Sequence, residues 1–107
     1  MLEKLFAPQS VAVVGASRTP GKVGHDILAN LVNGGFAGEI IPVNPAGGRM
    51  FERQVYASLA EYRGAIDQVI IAVPVPSVLE VVREAVARKA GAVIVITAGF
   101  RETGEEG

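Results

Sequence analysis

Residues 10–24 read SVAVVGASRTPGKVG, and this stretch decides the fold. It begins with an uninterrupted apolar run, Val11–Val14, which is typical of a strand covered on both faces in a parallel sheet. A glycine-containing loop follows, and apolar residues then recur at three- and four-residue spacing from Val23 to Val32, which predicts a helix. This order of elements directs backbone N–H groups and the positive end of the helix at an anion. We therefore expect the loop Gly15–Gly24 to bind a phosphate group.

The spacing of the glycines excludes two common phosphate-binding loops. A dinucleotide fingerprint has the spacing G-x-G-x-x-G, but Gly15, Gly21 and Gly24 lie too far apart to match it. A Walker A loop has the spacing G-x-x-x-x-G-K-[ST], but here five residues separate Gly15 from Gly21, and Lys22 is followed by valine. The alternative is a tight turn that only lets the helix pack on the strand. We favour the phosphate site because a serine, an arginine and a lysine in the loop add donors and positive charge.

Composition restricts the class of protein. The chain has 107 residues, half of them hydrophobic, which suits one domain with a core of its own. Its net charge of −1 argues against an electrostatic nucleic-acid binder. The absence of cysteine excludes disulfides, thiolate metal sites and a cysteine nucleophile, and the single histidine argues against a metal site. The sequence has no apolar run of about 18 residues and no signal-peptide pattern, so we expect no membrane segment and a cytoplasmic location.

The rest of the chain predicts strands alternating with helices. We expect a first helix from about Lys22 to Asn33 and a second that is capped by Ser77, with Glu80 in capping-box register. The apolar stripe of the second helix is expected to consist of Val78, Leu79, Val82, Ala85 and Val86. The main strands are expected at Val11–Val14, at Glu39–Pro45, within Ala65–Pro74 and at Ala92–Thr97. Smaller elements are expected at Leu2–Phe6 (a short helix), Met50–Tyr56 (irregular or extended) and Leu59–Tyr62 (a brief helix capped by Ser58).

This alternation predicts an α/β fold, with a mostly parallel sheet between helices on both faces. Pro42 lacks an N–H, so we expect the second strand to lie near an edge of the sheet. Ligands of such sheets bind at the carboxyl edge, where the strand order reverses, and we place that reversal between the first and third main strands. The strand ends expected to converge there are Gly15–Ser17, Val43–Pro45, Val73–Pro74 and Thr97–Phe100.

Four stretches of the chain, taken in order, resemble one known family. They are Ser10–Ser17 with Pro20–Gly24, Pro42–Pro45, Ile71–Pro74 and Ile96–Gly107. Together they resemble the N-terminal CoA-binding domain of NDP-forming acyl-CoA synthetases, a group that includes ADP-forming acetyl-CoA synthetases and the succinyl-CoA synthetase α subunit. The resemblance covers nearly the whole chain. It implies a Rossmann-like, three-layer α/β domain that binds coenzyme A instead of a dinucleotide.

The resemblance also implies a reaction and partners for the longer protein. The family's ligases make an acyl-CoA from an acid, CoA and a nucleoside triphosphate through a phosphohistidine. That histidine and the ATP-grasp part belong to other domains or to another subunit, and His25 does not match the phosphohistidine motif. We therefore expect residues 1–107 to be an N-terminal CoA-binding part that binds CoA without catalysing the reaction.

The resemblance implies CoA-binding residues, but no catalytic residue and no metal ligand. The CoA phosphates would be held by Gly15, Ala16, Ser17, Gly21 and Lys22. The adenosine end would be lined by Val43, Asn44 and Pro45, and the pantetheine arm would be bordered by Val73, Pro74 and Ser77. The thiol end would be flanked by Thr97, Ala98 and Gly99. Related sequences often carry a basic residue after the Asn-Pro pair, where this chain has Ala46–Gly48. Arg18 and Arg49 are therefore the candidates to meet the CoA 3′-phosphate, and the alternative for both is a solvated surface arginine.

Two other functions stay open from the sequence. An NAD(P)-dependent oxidoreductase domain is the rival from another class, but it calls for an acidic residue at the end of the second strand, where this chain has Asn44. A stand-alone CoA-sensing domain, or one fused to an acyltransferase, is the third possibility, and residues 1–107 do not distinguish it from the ligase.

Overall fold

The computed structural model describes residues 7–96, which form a four-stranded sheet, a small hairpin and two helices. The elements in chain order are β1 (Ser10–Val14), helix α1 (Val23–Asn33), β2 (Glu39–Val43), β3 (Arg49–Met50), β4 (Arg53–Gln54), a 3-10 turn (Leu59–Glu61), β5 (Gln68–Ile71), helix α2 (Val75–Ala87) and β6 (Ala92–Val95). The main sheet has the strand order β2-β1-β5-β6, and each neighbouring pair is parallel. Strands β3 and β4 pair antiparallel with each other.

The two helices cover opposite faces of the main sheet, because side chains alternate along each strand. On β1, Val11 and Val13 pack with Leu28 of α1. Ala12 and Val14 face the other way and pack in the cluster that contains Ala85 of α2. The three-layer α/β architecture that the sequence predicts is therefore confirmed.

The order of the strands confirms the predicted reversal point. The chain runs from β1 through α1 to β2 on one side, and from β5 through α2 to β6 on the other. Because β1 and β5 are neighbours whose connections leave in opposite directions, the reversal lies between them.

Strand β2 forms one edge of the main sheet, as Pro42 predicts. The carbonyl of Pro42 accepts a hydrogen bond from the N–H of Tyr56 (3.0 Å), and the N–H of Asn44 donates to the carbonyl of Tyr56 (2.9 Å). Both bonds point away from β1, so residue 42 lies at an outward-facing position of the strand. The missing N–H of proline therefore removes no bond between β1 and β2.

The start of α2 differs from the prediction. The helix begins at Val75, with Pro74 as its N-cap residue and Pro76 in its first turn, and no side chain caps it. Proline suits these positions because the first N–H groups of a helix have no intrahelical partner. Ser77 is therefore inside the first turn and is not the cap, so the predicted capping box with Glu80 is wrong.

Two further details differ from the prediction. Ser58 precedes the 3-10 turn, but its side chain makes no capping bond. The predicted apolar stripe of α2 is only partly buried: Leu79 and Val86 are 61% and 66% exposed, whereas Val78, Val81 and Val82 pack against the core. The predicted helix at Leu2–Phe6 and the strand end at Thr97–Phe100 lie outside the described residues.

Candidate functional site

The carboxyl ends of β1, β2 and β5 lie side by side. Val14 pairs with Val43 on one side and with Ile71 on the other. The loops that leave these strands, residues 15–22, 44–48 and 72–74, therefore start from one edge of the sheet. The sequence predicts this convergence, and it is confirmed for these three strand ends.

Gly15 and Gly24 bring the loop, the sheet and the start of α1 into backbone contact. An added Cβ at Gly24 would lie closer than 3.0 Å to the carbonyl of Gly15, and one at Gly15 would also lie closer than 3.0 Å to the carbonyl of Ala72. Gly15 also has a φ of +95°, which side-chain-bearing residues rarely adopt. Helix α1 therefore starts directly on the loop that leaves β1.

The start of α1 offers backbone donors to an anion. The first helical hydrogen bond runs from the N–H of Asp26 to the carbonyl of Lys22 (3.0 Å). The N–H groups of Val23, Gly24 and His25 precede this bond, and no side chain caps this end of the helix. The N–H groups of Gly15 and Ala16 differ, because both donate to the carbonyl of Val43 (3.0 and 3.2 Å). The N–H groups of these two residues are therefore engaged with β2, whereas those at the start of α1 are available to an anion.

The polar side chains of the loop are arranged in three ways. The hydroxyl oxygen of Ser17 accepts a hydrogen bond from the N–H of Thr19 (3.0 Å), which leaves its own O–H free to donate. Lys22 is exposed, and within residues 7–96 no carboxylate pairs with its ammonium group. Arg18 donates to the carbonyl of Gly47, in the loop after β2, and to the carbonyl of Arg49, the first residue of β3.

Asn44 joins the loops after β1 and β2. Its Nδ2 donates to the carbonyl of Ala16 (2.7 Å), and its Oδ1 accepts from the N–H of Ala46 (2.8 Å). The family resemblance implies that Asn44 lines the adenosine end. The structure adds that its amide holds two loops together. Asn44 and Ala16 are 28 residues apart, and neither this bond nor the bridge made by Arg18 has a local sequence signal.

The residues expected along the pantetheine arm follow β5. Val73 is half-buried, and its Cγ1 would lie 3.1 Å from an added Cβ at Gly15, so it stands beside the glycine loop. Pro74 and Ser77 are exposed at the start of α2. Thr97, Ala98 and Gly99, which are expected at the thiol end, lie outside the part of the chain that the structure describes.

A separate groove lies along the outer edge of β2. Its volume is about 410 Å³, and its lining includes Glu39, Ile40, Ile41, Arg53 and Tyr62. Burial, then Glu39 and then Tyr56 raise the pKa of Tyr62. Because Glu39 begins β2 and the predicted site lies where β2 ends, this groove does not coincide with that site.

His25 lies in the first turn of α1. Its Nδ1 is 3.2 Å from Oδ1 of Asp26, and its ring centroid is 5.5 Å from that of Phe51. No helix within residues 7–96 is long and apolar enough to cross a membrane.

Comparison with known proteins identifies the family. Residues 9–106 match the family model described as a CoA binding domain. The chain belongs to this family. It is 43% identical over 106 residues to an ADP-forming acetate–CoA ligase II of Archaeoglobus fulgidus, a match that covers 99% of this chain and 16% of that protein. It is also 43% identical over 106 residues to a trans-feruloyl-CoA synthase from an unknown prokaryotic organism, covering 99% of this chain and 15% of that one.

A solved structure agrees with this family. An acetyl-coenzyme A synthetase 1 of Candidatus Korarchaeum cryptofilum, in complex with phosphate and ADP, matches with a TM-score of 0.89 and 38% identity over 99% of this chain and 23% of that one. The chain thus spans less than a quarter of each of these three proteins. It corresponds to the CoA-binding region of ADP-forming acyl-CoA synthetases, which supports the ligase family over the oxidoreductase.

Proposed function

We propose that this chain binds coenzyme A at the carboxyl edge of its sheet, as the CoA-binding part of an ADP-forming acyl-CoA ligase. The observation that carries the proposal is the family match over residues 9–106. In this proposal the CoA phosphates lie against the start of α1. The N–H groups of Val23, Gly24 and His25 point outward there, at the positive end of the helix dipole. The ammonium group of Lys22 and the hydroxyl of Ser17 add a charge and a further donor.

The geometry around this edge fits the other parts of CoA. Val73 and Pro74 supply apolar surface beside the glycine loop, which suits the pantetheine arm. The end of β2 at Val43, with Asn44 and Pro45 after it, would border the adenosine. We extend the proposal to Thr97, Ala98 and Gly99 for the thiol end, on the resemblance alone.

The remaining domains of a ligase would supply the chemistry. CoA brings a thiol that accepts the acyl group, and residues 7–96 contribute binding and orientation to this reaction. A phosphohistidine domain and an ATP-grasp part, in the same chain or in a second subunit, are the proposed partners. The acyl substrate does not follow from this region, because the identity to an acetate ligase and to a feruloyl-CoA synthase is the same 43%. A cytoplasmic location remains a prediction from the sequence.

One observation argues against a nicotinamide dinucleotide at the same edge. An NAD-dependent oxidoreductase of this fold uses an acidic side chain at the end of β2 to accept hydrogen bonds from the ribose hydroxyls. Asn44 occupies that place, and its amide is engaged with Ala16 and Ala46.

Calorimetric titration of the chain with CoA, NAD⁺, NADP⁺ and ATP tests the proposal. We expect CoA to bind more tightly than the other three, and a hundredfold excess over its Kd should stabilise the fold by about 2.7 kcal/mol in a thermal-shift assay. Lys22→Ala should weaken CoA binding by about tenfold, which is the loss expected for one charge-assisted hydrogen bond. Arg83→Ala, on the exposed surface of α2, removes the same charge away from the site and should leave the Kd unchanged. Tighter binding of NAD⁺ than of CoA would contradict the proposal.

A further inference from the structure

Arg18 bridges the loop after β1 to the loop after β2. Its Nε donates to the carbonyl of Arg49 (3.1 Å) and its Nη2 donates to the carbonyl of Gly47 (2.9 Å). These acceptors are 31 and 29 residues away along the chain. One planar guanidinium thus contacts two carbonyls at once, one in the loop after β2 and one at the start of β3. A lysine ammonium on a flexible stem does not do this with the same geometry.

The second loop is shaped to receive this guanidinium. An added Cβ at Gly48 would lie closer than 3.0 Å to Nη2 of Arg18, so the arginine lies against the Cα of residue 48. Gly48 also has a φ of +93°. Gly47 has a φ of +67°, but the nearest atom to its added Cβ is the carbonyl oxygen of Val55 at 4.0 Å. Both glycines therefore serve the turn, but only Gly48 makes room for Arg18.

The bridge leaves the charge of Arg18 available. A guanidinium has five N–H donors, and the two bonds to carbonyls engage two of them. Backbone carbonyls do not neutralise the positive charge, and no carboxylate within residues 7–96 forms an ion pair with it. A fixed cation with three remaining donors suits a phosphate monoester, which has three acceptor oxygens that share a charge of up to −2.

Arg49, the other cationic candidate nearby, is arranged differently. Its Nη2 donates to the carbonyl of Glu52 (2.6 Å), three residues further along the chain. This bond closes the β3–β4 hairpin on itself, and the side chain makes no bond to the loop after β1 among the contacts of residues 7–96. Arg49 thus stabilises its own turn, whereas Arg18 lies where the two loops of the proposed site meet.

We propose that Arg18 is the specificity residue for the 3′-phosphate of CoA. It fills this role by holding the loop after β2 and the start of β3 in place, and by presenting its charge where the loops after β1 and β2 meet. This inference rests on the proposed function of CoA binding. It predicts that Arg18 governs the preference for CoA over 3′-dephospho-CoA, which lacks only that phosphate.

The test measures the Kd of CoA and of 3′-dephospho-CoA by calorimetry for the unmodified chain and its variants. The unmodified chain should prefer CoA by about tenfold or more, and Arg18→Ala should reduce that preference to about twofold, because the charge-assisted hydrogen bonds to the phosphate are lost. The preference of Arg18→Lys should lie between those of Arg18→Ala and the unmodified chain, and on a logarithmic scale it should be closer to that of Arg18→Ala. Lysine keeps the charge but loses the planar fork. Arg49→Ala should keep the preference, and its loss there would assign the phosphate to Arg49 and overturn the proposal.

Paired glycine variants test the positioning part of the role without removing the charge. Gly48→Ala places a Cβ against the guanidinium of Arg18 and should lower the preference. Gly47→Ala strains the same turn, and residue 47 keeps the carbonyl that Arg18 contacts, but its added Cβ does not reach the guanidinium, so it should lower the preference less. Equal preferences in these two variants would overturn the positioning role. An unmodified chain that does not bind CoA contradicts the proposed function itself. A chain that binds and prefers CoA, but keeps that preference in Arg18→Ala, contradicts this inference alone.

Discussion

Helices α1 and α2 cover opposite faces of one sheet, but they are held to it by different kinds of contact. Leu28 of α1 is fully buried, and Gly24 brings the first turn against the backbone of the loop after β1. Helix α2 has only the small side chain of Ala85 fully buried, and larger valines on its inner face are half-buried. The difference indicates that α1, which begins at the proposed phosphate site, has its position fixed more tightly than α2.

The two flanks of α2 also differ from each other. On the flank towards the 3-10 turn, Glu84 accepts a hydrogen bond from the N–H of Leu59 (3.2 Å), and Arg88 donates to the carbonyls of Tyr62 and Gly64. The opposite flank faces β6 and carries exposed apolar side chains. These are Val75, Leu79 and Val86 of the helix, and Val93 and Val95 lie on the same face of β6. Polar contacts to neighbouring backbone therefore hold one flank of α2, while the other has apolar surface in contact with solvent.

The largest difference in stability between the two helices is expected when a leucine of each helix is replaced by alanine. Leu28→Ala should lower the free energy of unfolding by about 2–5 kcal/mol, because it removes a fully buried side chain and leaves a cavity. Leu79→Ala should change it by no more than about 0.5 kcal/mol, because that side chain is largely exposed. Urea denaturation of both variants measures the difference, and equal losses would contradict the comparison.

The next largest loss of stability is expected from a substitution at the backbone contact where α1 begins. Gly24→Ala should destabilise the fold by about 3 kcal/mol, because its Cβ meets the carbonyl of Gly15 and the helix has to move away. Gly21→Ala is the matched control: it has a φ of +94° and open space around its Cβ, so only backbone strain of about 1–2 kcal/mol is expected. We also expect Gly24→Ala to weaken CoA binding more than Gly21→Ala does. A Gly24→Ala variant as stable as the unmodified chain would show that this contact does not fix the helix.

The sequence predicts the sheet better than it predicts side-chain contacts. The apolar runs, the glycine loop and Pro42 are local signals, and they predict the parallel sheet, the edge position of β2 and the reversal point. The predicted start of α2 is wrong because Ser77 matches a capping pattern, whereas two prolines already supply a helix start without a side-chain cap. Leu79 and Val86 fit a helical period, but a period does not specify which of two adjoining stripes meets the sheet.

In the candidate site, too, the sequence predicts the arrangement of the strands but not the side-chain contacts. That three strand ends converge follows from the parallel order of the strands. The bridges made by Asn44 and Arg18 connect residues 28 to 31 positions apart, and no spacing rule predicts which carbonyl a long side chain reaches. The sequence therefore identifies Arg18 as a polar loop residue, but it does not predict the contact of Arg18 with the second loop.

The smallest expected effect concerns Tyr62, beside the flank of α2 that makes polar contacts. Burial, followed by the charge of Glu39 and then the neighbouring Tyr56, raises the pKa of the Tyr62 phenol above its ordinary value of 10.0. A raised pKa means that the folded chain holds this proton more tightly than the unfolded chain does. The contribution to stability is therefore fully present below about pH 10 and is lost as the pH rises through the folded-state pKa.

Tyr62→Phe should remove that part of the alkaline loss of stability. In urea denaturation across the alkaline range, the free energies of unfolding of the variant and the unmodified chain should differ by a constant amount below about pH 9, well under the ordinary tyrosine pKa. Above that pH the unmodified chain should lose stability more steeply, and lysines that titrate in the same range cancel from the difference because both chains contain them. Ultraviolet titration of the phenolate gives an independent reading of the same pKa. If the two stability curves stay parallel at every pH, the phenol is as well solvated in the folded chain as in the unfolded one. The side of the sheet covered by α2 would then be accessible to water at Tyr62 as well as beside β6.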